Sequence, residues 1–255
     1  MRAIGKENTW FSFKGIRNDE VGVYMLSMPT RPHPARKGRV IDIPGADGEM
    51  WQDEGGYKRI IIPIRLITLG NANIDGVNLW LSGEGDLIFG DEPERLYHAR
   101  ITKEFSRSNR SQRLRGQEFT VSFDCEPYRY KVGDMFETPG YALSHPSSGM
   151  LVPAYNEGTA AAWPIFEVST NGSGGTITIN GKTLIIDGSP NTICIDCGAK
   201  FAYSINEDGT FAAASMYVGG DWPSLLPGDN TVAIAPAAVT GSRITVSMRV
   251  RWRWL

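Results

Sequence analysis

Alternating apolar and polar side chains are the main pattern along this sequence, and they predict strands. In residues 119–125 the apolar Phe, Val, Phe and Cys side chains occupy every second position and share one face. Residues 59–67 form a run rich in β-branched side chains, which predicts a buried strand. Further strands are predicted around residues 21–26 and 97–105. The fold is therefore expected to be mainly β.

One short helix is predicted, over residues 74–82. Ile74, Val77 and Leu81 share a face at the i, i+3, i+7 spacing of a helix, and Asn73 can cap the first turn. Glycines follow at once and favour an end to the helix there.

The second half of the chain is predicted to consist of strands. Residues 176–186 form a hairpin around Asn180-Gly181, a pair that supplies the two positive φ angles of a type I′ turn. Strands follow around residues 231–235 and 244–254. Short strands at this spacing, without helices between them, predict a β-sandwich.

A length of 255 residues favours one to two domains. Residues 128–151 contain scattered Gly and Pro with little periodicity, which favours a boundary in that stretch. We therefore predict an N-terminal domain over residues 1–136 and a C-terminal domain over residues 137–255. The first is expected to be barrel-like or sandwich-like, with one short helix and an extended arm.

The composition is that of a globular protein, with 41% hydrophobic and 21% charged residues. A net charge of −2 favours neither an anionic membrane nor sequence-specific nucleic acid as a partner. No apolar run approaches the ~20 residues that span a bilayer, and the N-terminus lacks the apolar region of a secretory signal. Three cysteines, an odd number, fit a reducing compartment.

Two short motifs suggest chemistry but fit strands better. Cys194 and Cys197 form a C-x-x-C, but a redox pair sits at a helix N-terminus and a zinc site needs four ligands, whereas residues 192–196 are predicted as a strand. The tripeptide GKT at 181–183 ends a phosphate-binding loop only if a glycine stands five residues earlier and a helix follows, and neither is found. Both motifs are interpreted as structural, and no cofactor is expected.

Other catalytic signals are weak. The carboxylates show no known catalytic spacing, and no G-x-S-x-G or H-E-x-x-H signature occurs. Residues 103–115 are rich in basic side chains and are interpreted as the solvated tip of a hairpin, with a phosphate- or protein-binding loop as the alternative. The chain is therefore predicted not to be an enzyme.

Tryptophans offer a candidate ligand platform, because aromatic surfaces bind sugars. Trp252 alternates with the apolar residues of the strand before it, so burial in the sandwich core is favoured over exposure. Trp163, Trp222 and Trp252 are the candidates if the platform exists.

Several short segments stand in the order found in one known family. In the N-terminal half they are FSFKGI at 11–16, GVY at 22–24, PGADG at 44–48, WLSGEGDLIF at 80–89, DEP at 91–93, YHA at 97–99 and FDCEP at 123–127. In the C-terminal half they are PI at 164–165, ING at 179–181, IDC at 195–197, WPSLLPGDN at 222–230 and RVR at 249–251. The signature residues among them are Phe13, Gly15, Gly22, Pro44, Gly45, Asp47, Gly48, Trp80, Leu81, Phe89 and Tyr97. Together these segments resemble the distal tail protein family of long non-contractile tailed phages, although Trp222 stands where that family more often has phenylalanine.

The resemblance implies a structural role. Proteins of that family form a hexameric ring at the tail tip, which joins the tail tube to the tail-tip hub protein and can anchor receptor-binding proteins. It implies a C-terminal sandwich with a galectin-like topology. It also implies a chain made in the bacterial host cytoplasm and built into the virion, with copies of itself, the major tail tube protein and the hub as partners.

A proline-rich and basic stretch, residues 31–39, is the predicted arm. It is interpreted as unable to fold alone and as wrapping a neighbouring subunit, with Tyr57 in the main contact. The candidate interface residues are Arg31, Pro32, Pro34, Arg36, Arg39, Trp51 and Tyr57.

Two other functions are kept as alternatives. A carbohydrate-binding adhesin of the host surface predicts exposed tryptophans in a groove of the C-terminal sandwich. A cell-wall hydrolase predicts two close carboxylates in a cleft.

Overall fold

The computed structural model describes residues 9–45, 47–68, 73–106, 108–111, 116–133, 135–144, 149–189, 192–205 and 209–255. The chain divides into two compact units. The first ends at Val132 and also includes Leu255, and the second is Gly133–Trp254. Two separately folding domains, with a boundary between residues 136 and 137, stay a prediction.

The first unit is built from strands and one helix. Its elements are β1 Phe11–Phe13, β2 Ile16–Arg17, β3 Val23–Met25, β4 Arg36–Asp42, β5 Glu49–Tyr57, β6 Ile60–Thr68, α1 Ile74–Trp80, β7 Glu84–Phe89, β8 Arg95–Ile101, β9 Ser108–Ser111 and β10 Gly116–Lys131. The main sheet has the order β2-β1-β7-β8-β10-β6-β3, and β9 also pairs with β10. β4 and β5 form a two-stranded sheet of their own.

The antiparallel pair of β6 and β10 is the centre of the main sheet. Phe119 pairs with Leu66 and Phe123 with Ile62, and all four side chains are buried. Strict alternation therefore places one face of each strand in the core, as the pattern of residues 119–125 predicted. The run at 59–67 is a strand as predicted, but only one of its faces is buried, since Ile61 is 38% exposed.

Helix α1 covers one side of the core and confirms the predicted helix, although it ends two residues earlier. The Asn73 side chain accepts a hydrogen bond from the backbone N–H of Gly76 and caps the first turn. Trp80 is buried, stacks on Phe11 with ring centroids 5.5 Å apart, and donates from Nε1 to the backbone oxygen of Phe13 at 2.9 Å. This bond satisfies the indole N–H inside the core.

A buried asparagine holds the connection between β1 and β3. Asn18 Oδ1 accepts from the backbone N–H of Phe11 at 2.8 Å, and its Nδ2 donates to the backbone oxygen of Val23 at 2.8 Å. Both polar ends of the amide are thus satisfied in a position that is only 2% exposed.

The carboxylate of Asp124 links neighbouring strands of the main sheet. Its Oδ1 accepts from Arg59 Nε at 2.8 Å and its Oδ2 accepts from Arg100 Nε at 2.9 Å. Arg59 directly precedes β6 and Arg100 lies in β8, on either side of β10. Burial alone would raise the pKa of Asp124, but the hydrogen bonds from the two arginines outweigh it and hold the pKa below its usual value of 3.8.

The second unit consists of strands and one short 3-10 turn at Ser215–Tyr217. Its strands are β11 Phe136–Glu137, β12 Tyr141–Ser144, β13 Met150–Asn156, β14 Ile165–Thr170, β15 Gly175–Ile179, β16 Lys182–Ile186, β17 Ile193–Asp196, β18 Phe201–Ile205, β19 Phe211–Ala213, β20 Val218–Gly220, β21 Gly228–Pro236, β22 Arg243–Val250 and β23 Arg253–Trp254. One sheet has the order β11-β22-β14-β17-β18-β19, with β12 also on β22, and the other has the order β13-β21-β15-β16-β20.

Side chains from both sheets meet in one apolar core, which makes this unit a β-sandwich. Phe166 and Ile195 enter it from one sheet, and Ile177 and Leu184 enter it from the other. The predicted hairpin is present as β15 and β16, with φ of +50° at Asn180 and +76° at Gly181.

Two details of the predicted strands differ in the structure. The described residues of 128–151 include regular strands, because β10 runs to Lys131 and the short strands β11 and β12 pair with β22. The strand predicted at 244–254 is interrupted between Val250 and Arg253.

We expect Asp124→Asn to lower the free energy of unfolding by about 1–3 kcal/mol at neutral pH, because it leaves two arginines facing a neutral amide. Urea denaturation followed by circular dichroism measures the change. Asp19→Asn is the matched control: its pair with Arg17 is well exposed, so the change should be about 0–1 kcal/mol.

The stability of the Asp124→Asn variant should also depend on pH differently from that of wild type. The folded-state pKa of Asp124 is depressed, so its stabilising contribution is present above the unfolded pKa and is lost as pH falls through the folded value. Wild type should therefore lose more stability than Asp124→Asn between about pH 5 and pH 2. Equal acid sensitivity in the two proteins would contradict the assignment.

Candidate functional site

The hairpin formed by β4 and β5, here called the arm hairpin, exposes several large apolar side chains. Val40 pairs with Trp51 and Ile41 with Met50 across it. Among the described residues no third strand joins this pair. A lone two-stranded hairpin is marginally stable in water, so this geometry favours a partner that covers it.

The arm hairpin presents large side chains on both faces. Val40 and Trp51 share one face and are 51% and 52% exposed, while Met50 on the other face is 49% exposed. On the face of Met50, Arg39 Nε donates to Gln52 Oε1 at 2.8 Å. Exposed apolar side chains beside polar ones resemble the core and rim of a protein contact.

A glycine allows Trp51 to lie against the neighbouring strand. A Cβ at Gly38 would come within 2.3 Å of Trp51 Cζ2 and within 2.7 Å of the backbone oxygen of Gln52. Glycine at this position therefore lets the indole ring cross diagonally over β4, which gives the exposed face its shape.

The base of the arm hairpin is anchored in its own unit. Arg31 Nη1 donates to Glu92 Oε2 at 3.1 Å, its Nη2 bonds the Asp91 carboxylate, and its guanidinium lies 4.8 Å from the centre of the Phe89 ring. Pro34 is buried. Residues 31–34 are thus fixed against the unit that contains them.

Tyr57 belongs to this base and not to the exposed part. The Arg36 guanidinium lies 5.0 Å from the centre of its ring, and Tyr128 packs edge-on against it at 6.1 Å. Lys58 also donates its backbone N–H to the oxygen of Ala35 at 2.7 Å.

The expectation that residues 31–39 cannot fold alone is wrong for residues 36–39, which pair with β5 inside the chain as part of β4. The contact of this stretch with a neighbouring subunit stays a prediction. Of the predicted contact residues, Arg31, Pro34, Arg36 and Tyr57 make contacts at the base, whereas Arg39 and Trp51 lie on the exposed hairpin and Pro32 is exposed beside Arg31. Val40 and Met50 escaped the sequence analysis, although their alternation across a Gly-rich turn could have revealed them.

The signature residues of the resemblance lie in the core or in turns of the first unit. Phe13, Trp80, Leu81, Phe89 and Tyr97 are buried in the core of the first unit. Gly15, Gly22, Gly45 and Gly48 have positive φ angles, which glycine adopts without strain. Pro44 and Asp47 lie in the turn of the arm hairpin.

The cysteines are buried and free. Burial raises the pKa of Cys125 and Cys197 to about 12, and burial together with the carboxylate of Glu167 raises the pKa of Cys194. The C-x-x-C lies on β17 and the turn after it, as the structural interpretation predicted. Thiols protonated at neutral pH are poor nucleophiles and metal ligands.

The remaining candidate features are the tryptophans, the GKT tripeptide and the basic stretch. Trp252 is 2% exposed and cannot present its ring to a ligand, while Trp163 and Trp222 are partly buried against the same core. The GKT at 181–183 belongs to the turn and start of β16. Within the described ranges no group of His, Cys, Asp and Glu side chains could hold a metal ion. Of the basic stretch 103–115, residues 107 and 112–115 lie outside the described residues.

Comparison with solved structures identifies the fold. The Dit protein of phage SPP1, a paradigm of the hub adsorption apparatus in phages that infect Gram-positive bacteria, matches with a TM-score of 0.67 at 17% identity, over 96% of this chain and 99% of that chain. The phage P2 baseplate in its activated conformation, with Ca and with Sr, gives 0.47 at 7% and 8% identity over 89% of this chain and 90% of those chains, too low to establish a common fold. No protein-family model and no curated protein matches. The chain therefore has the mainly-β fold of the SPP1 Dit protein, and the resemblance found in the sequence is confirmed for the fold.

We expect Gly38→Ala to displace the Trp51 ring, because the new methyl group overlaps it. The indole N–H resonance of Trp51 should shift, and the backbone amides of β4 and β5 should exchange with deuterium more than tenfold faster. Gly219→Ala is the control, since a Cβ at that glycine meets nothing within 4 Å. An unchanged Trp51 resonance would show that the close approach does not constrain the ring.

A thiol titration tests the structural role of the cysteines. At pH 8 the folded protein should react negligibly with Ellman's reagent over several minutes, because the pKa values of its thiols are raised. In urea all three cysteines should react. Rapid reaction of two thiols in the folded protein would instead indicate a redox pair at Cys194 and Cys197.

Proposed function

We propose that this chain is a structural component of a phage tail tip, in which six copies form a ring that connects the tail tube to the tail-tip hub. The observation that carries the proposal is the fold shared with the SPP1 Dit protein over nearly the full length of both chains. The ordered sequence segments support it independently of the fold.

The arm hairpin is the proposed contact between neighbouring copies. A closed ring of identical subunits needs one surface that docks on a different surface of the next copy. The hairpin offers an exposed apolar pair, Val40 and Trp51, on an element that its own unit does not cover. Tryptophan at the centre of a small apolar patch is a frequent source of binding energy at protein interfaces.

The anchored base suits this role. Arg31 and Pro34 hold the base of the hairpin on the main unit, so less conformational entropy is lost when the hairpin docks. The neighbouring copy then binds a hairpin whose position on its own unit is already fixed.

The partners of the ring follow from the same proposal. They are the major tail tube protein on one side and the hub protein on the other, with receptor-binding proteins as further ligands. The chain would be made in the cytoplasm of the bacterial host and then become part of the virion. No helix in the described part of the chain is long and apolar enough to cross a membrane.

A structural and non-enzymatic role agrees with how the reactive groups are used. Asp124 accepts hydrogen bonds that hold three strands together, and Glu92 accepts bonds from Arg31 and Arg129. The thiols are protonated and buried. These groups stabilise the fold. Asp91 and Glu92 line one cavity together, but both are paired with arginines, whereas the acid of a wall hydrolase must be able to give up its proton.

We expect the purified protein, alone or mixed with its tube and hub proteins, to form six-fold rings in negative-stain images. The double variant Val40→Asp with Trp51→Ala should lose the ring and elute as a monomer by light scattering, because each contact loses roughly 2–4 kcal/mol. Both side chains are exposed in the single chain, so the circular dichroism spectrum and melting temperature should hardly change.

Leu79→Asp is the matched control, because Leu79 is also apolar and is 77% exposed, but on helix α1. It should leave the ring intact. A ring that survives the double variant would exclude the arm hairpin as the main contact. The absence of any ring, even with tube and hub proteins present, would overturn the proposed function.

A further inference from the structure

A cluster of exposed and half-buried apolar side chains, three of them aromatic, lies at the edge of one sheet of the second unit. It is formed by Phe201, Tyr203 and Ile205 on β18 and by Phe211 on the edge strand β19. Phe211 is 72% exposed, Ile205 57% and Phe201 44%. Alternate residues of β18 point into the core, so this cluster occupies the outer face of the sandwich.

The rings of the cluster pack against one another. Phe201 and Tyr203 are stacked, with an angle of 18° between planes and 6.1 Å between centroids. Phe211 stands edge-on to Tyr203 at 71° and 5.4 Å. The rings of Phe201 and Phe211 stay exposed, so a flat group can stack on them.

Polar side chains lie on the same outer face of the sheet, on the strands next to the rings. Tyr203 pairs with Cys194, which pairs with Glu167, and Phe201 pairs with Asp196. Paired residues of neighbouring strands point to the same side of a sheet. The carboxylates of Asp196 and Glu167 thus lie on the same side of the sheet as the rings, Asp196 on the neighbouring strand and Glu167 one strand further. Asp196 Oδ1 already accepts from the backbone N–H groups of Gly198 and Ala199, so Glu167 is the acceptor offered to a ligand.

A cation completes this polar border. Arg249 lies on the same row of the sheet as Asp196, through Ile165. Its charge also acts on the Cys194 and Tyr203 side chains, which places it near the cluster. Its Nε lies 3.8 Å from Glu137 Oε1, a loose pair that leaves guanidinium donors for a ligand.

The size of the cluster favours a small or narrow ligand over a protein. Four side chains with these exposures present on the order of a few hundred Å² of apolar surface, within the range of functional patches on monomers. A stable protein contact buries about 800 Å² on each partner, considerably more than this surface.

Carbohydrate is the ligand whose chemistry matches. A pyranose ring with equatorial substituents has an apolar C–H face that stacks on an aromatic ring and a rim of hydroxyl groups that both donate and accept hydrogen bonds. The exposed rings of Phe201 and Phe211, the Glu167 carboxylate and the Arg249 guanidinium supply the corresponding groups. We propose that Phe201, Tyr203 and Phe211, with Glu167 and Arg249, form a binding site for a β-linked polysaccharide of equatorial pyranoses.

Two soluble hexasaccharides test the site on the full chain: cellohexaose and chitohexaose. Isothermal titration calorimetry should detect binding of at least one of them. Phe211→Ala should weaken that binding at least tenfold, and Glu167→Gln should weaken it severalfold. Both residues are exposed, so both variants should keep the wild-type melting temperature.

Tyr155→Ala is the matched control, because this aromatic residue is 57% exposed on the other sheet and should bind sugar as wild type does. Failure of both hexasaccharides to bind wild type overturns the site, and so does binding that Phe211→Ala leaves unchanged. If Phe211→Ala instead abolishes assembly with tail proteins while no sugar binds, the cluster is a protein contact. Ring formation by the unliganded chain is measured separately, so failure here leaves the proposed function standing.

Discussion

Ion pairs at the base of the arm hairpin fix where that hairpin leaves the main sheet. Arg59 directly precedes β6 and is held by Asp124 in the central strand β10, while Arg31 is held by Asp91 and Glu92 after β7. β5 ends two residues before Arg59, so a rigid start of β6 sets the direction in which β5 returns. Ion pairs between buried and half-buried charges define the positions of the groups they join more than they raise the free energy of unfolding. The cost of desolvating the charges offsets much of their attraction. Because the base of the arm hairpin is fixed in this way, the position of its exposed apolar pair is also defined.

The elements with strong local patterns could be predicted from the sequence, and those that depend on distant partners could not. The alternation along β10, the Asn73 cap of α1 and the Asn180-Gly181 turn each carry their physical cause within a few residues. Strands β11 and β12 do not: they are short, and they exist because β22 offers them backbone groups to pair with. The stretch at 128–151, with scattered Gly and Pro, therefore appeared irregular although its described residues include strand segments.

The candidate sites show the same limit. Proline and positive charge over residues 31–39 suggested a segment that needs a neighbour, but pairing with β5 stabilises it inside the chain. The close contact of Gly38 with Trp51 depends on that pairing and leaves no local pattern. In the second unit, Phe201 and Tyr203 stand two residues apart and are visible as one strand face, whereas Phe211 joins them only through the register of β19 on β18.

The two exposed apolar surfaces differ in ways that point to different ligands. The arm hairpin has exposed apolar side chains on both faces of a two-stranded sheet that no third described strand joins, which fits the proposed contact with another protein surface. The aromatic cluster lies on one face of its sheet, and charged side chains of the neighbouring strands lie on that same face. Mutation of one surface should leave the other intact, since each belongs to a separate compact unit. A chain with this division can hold its neighbours with one unit while the other contacts a sugar, and neither activity requires a catalytic group.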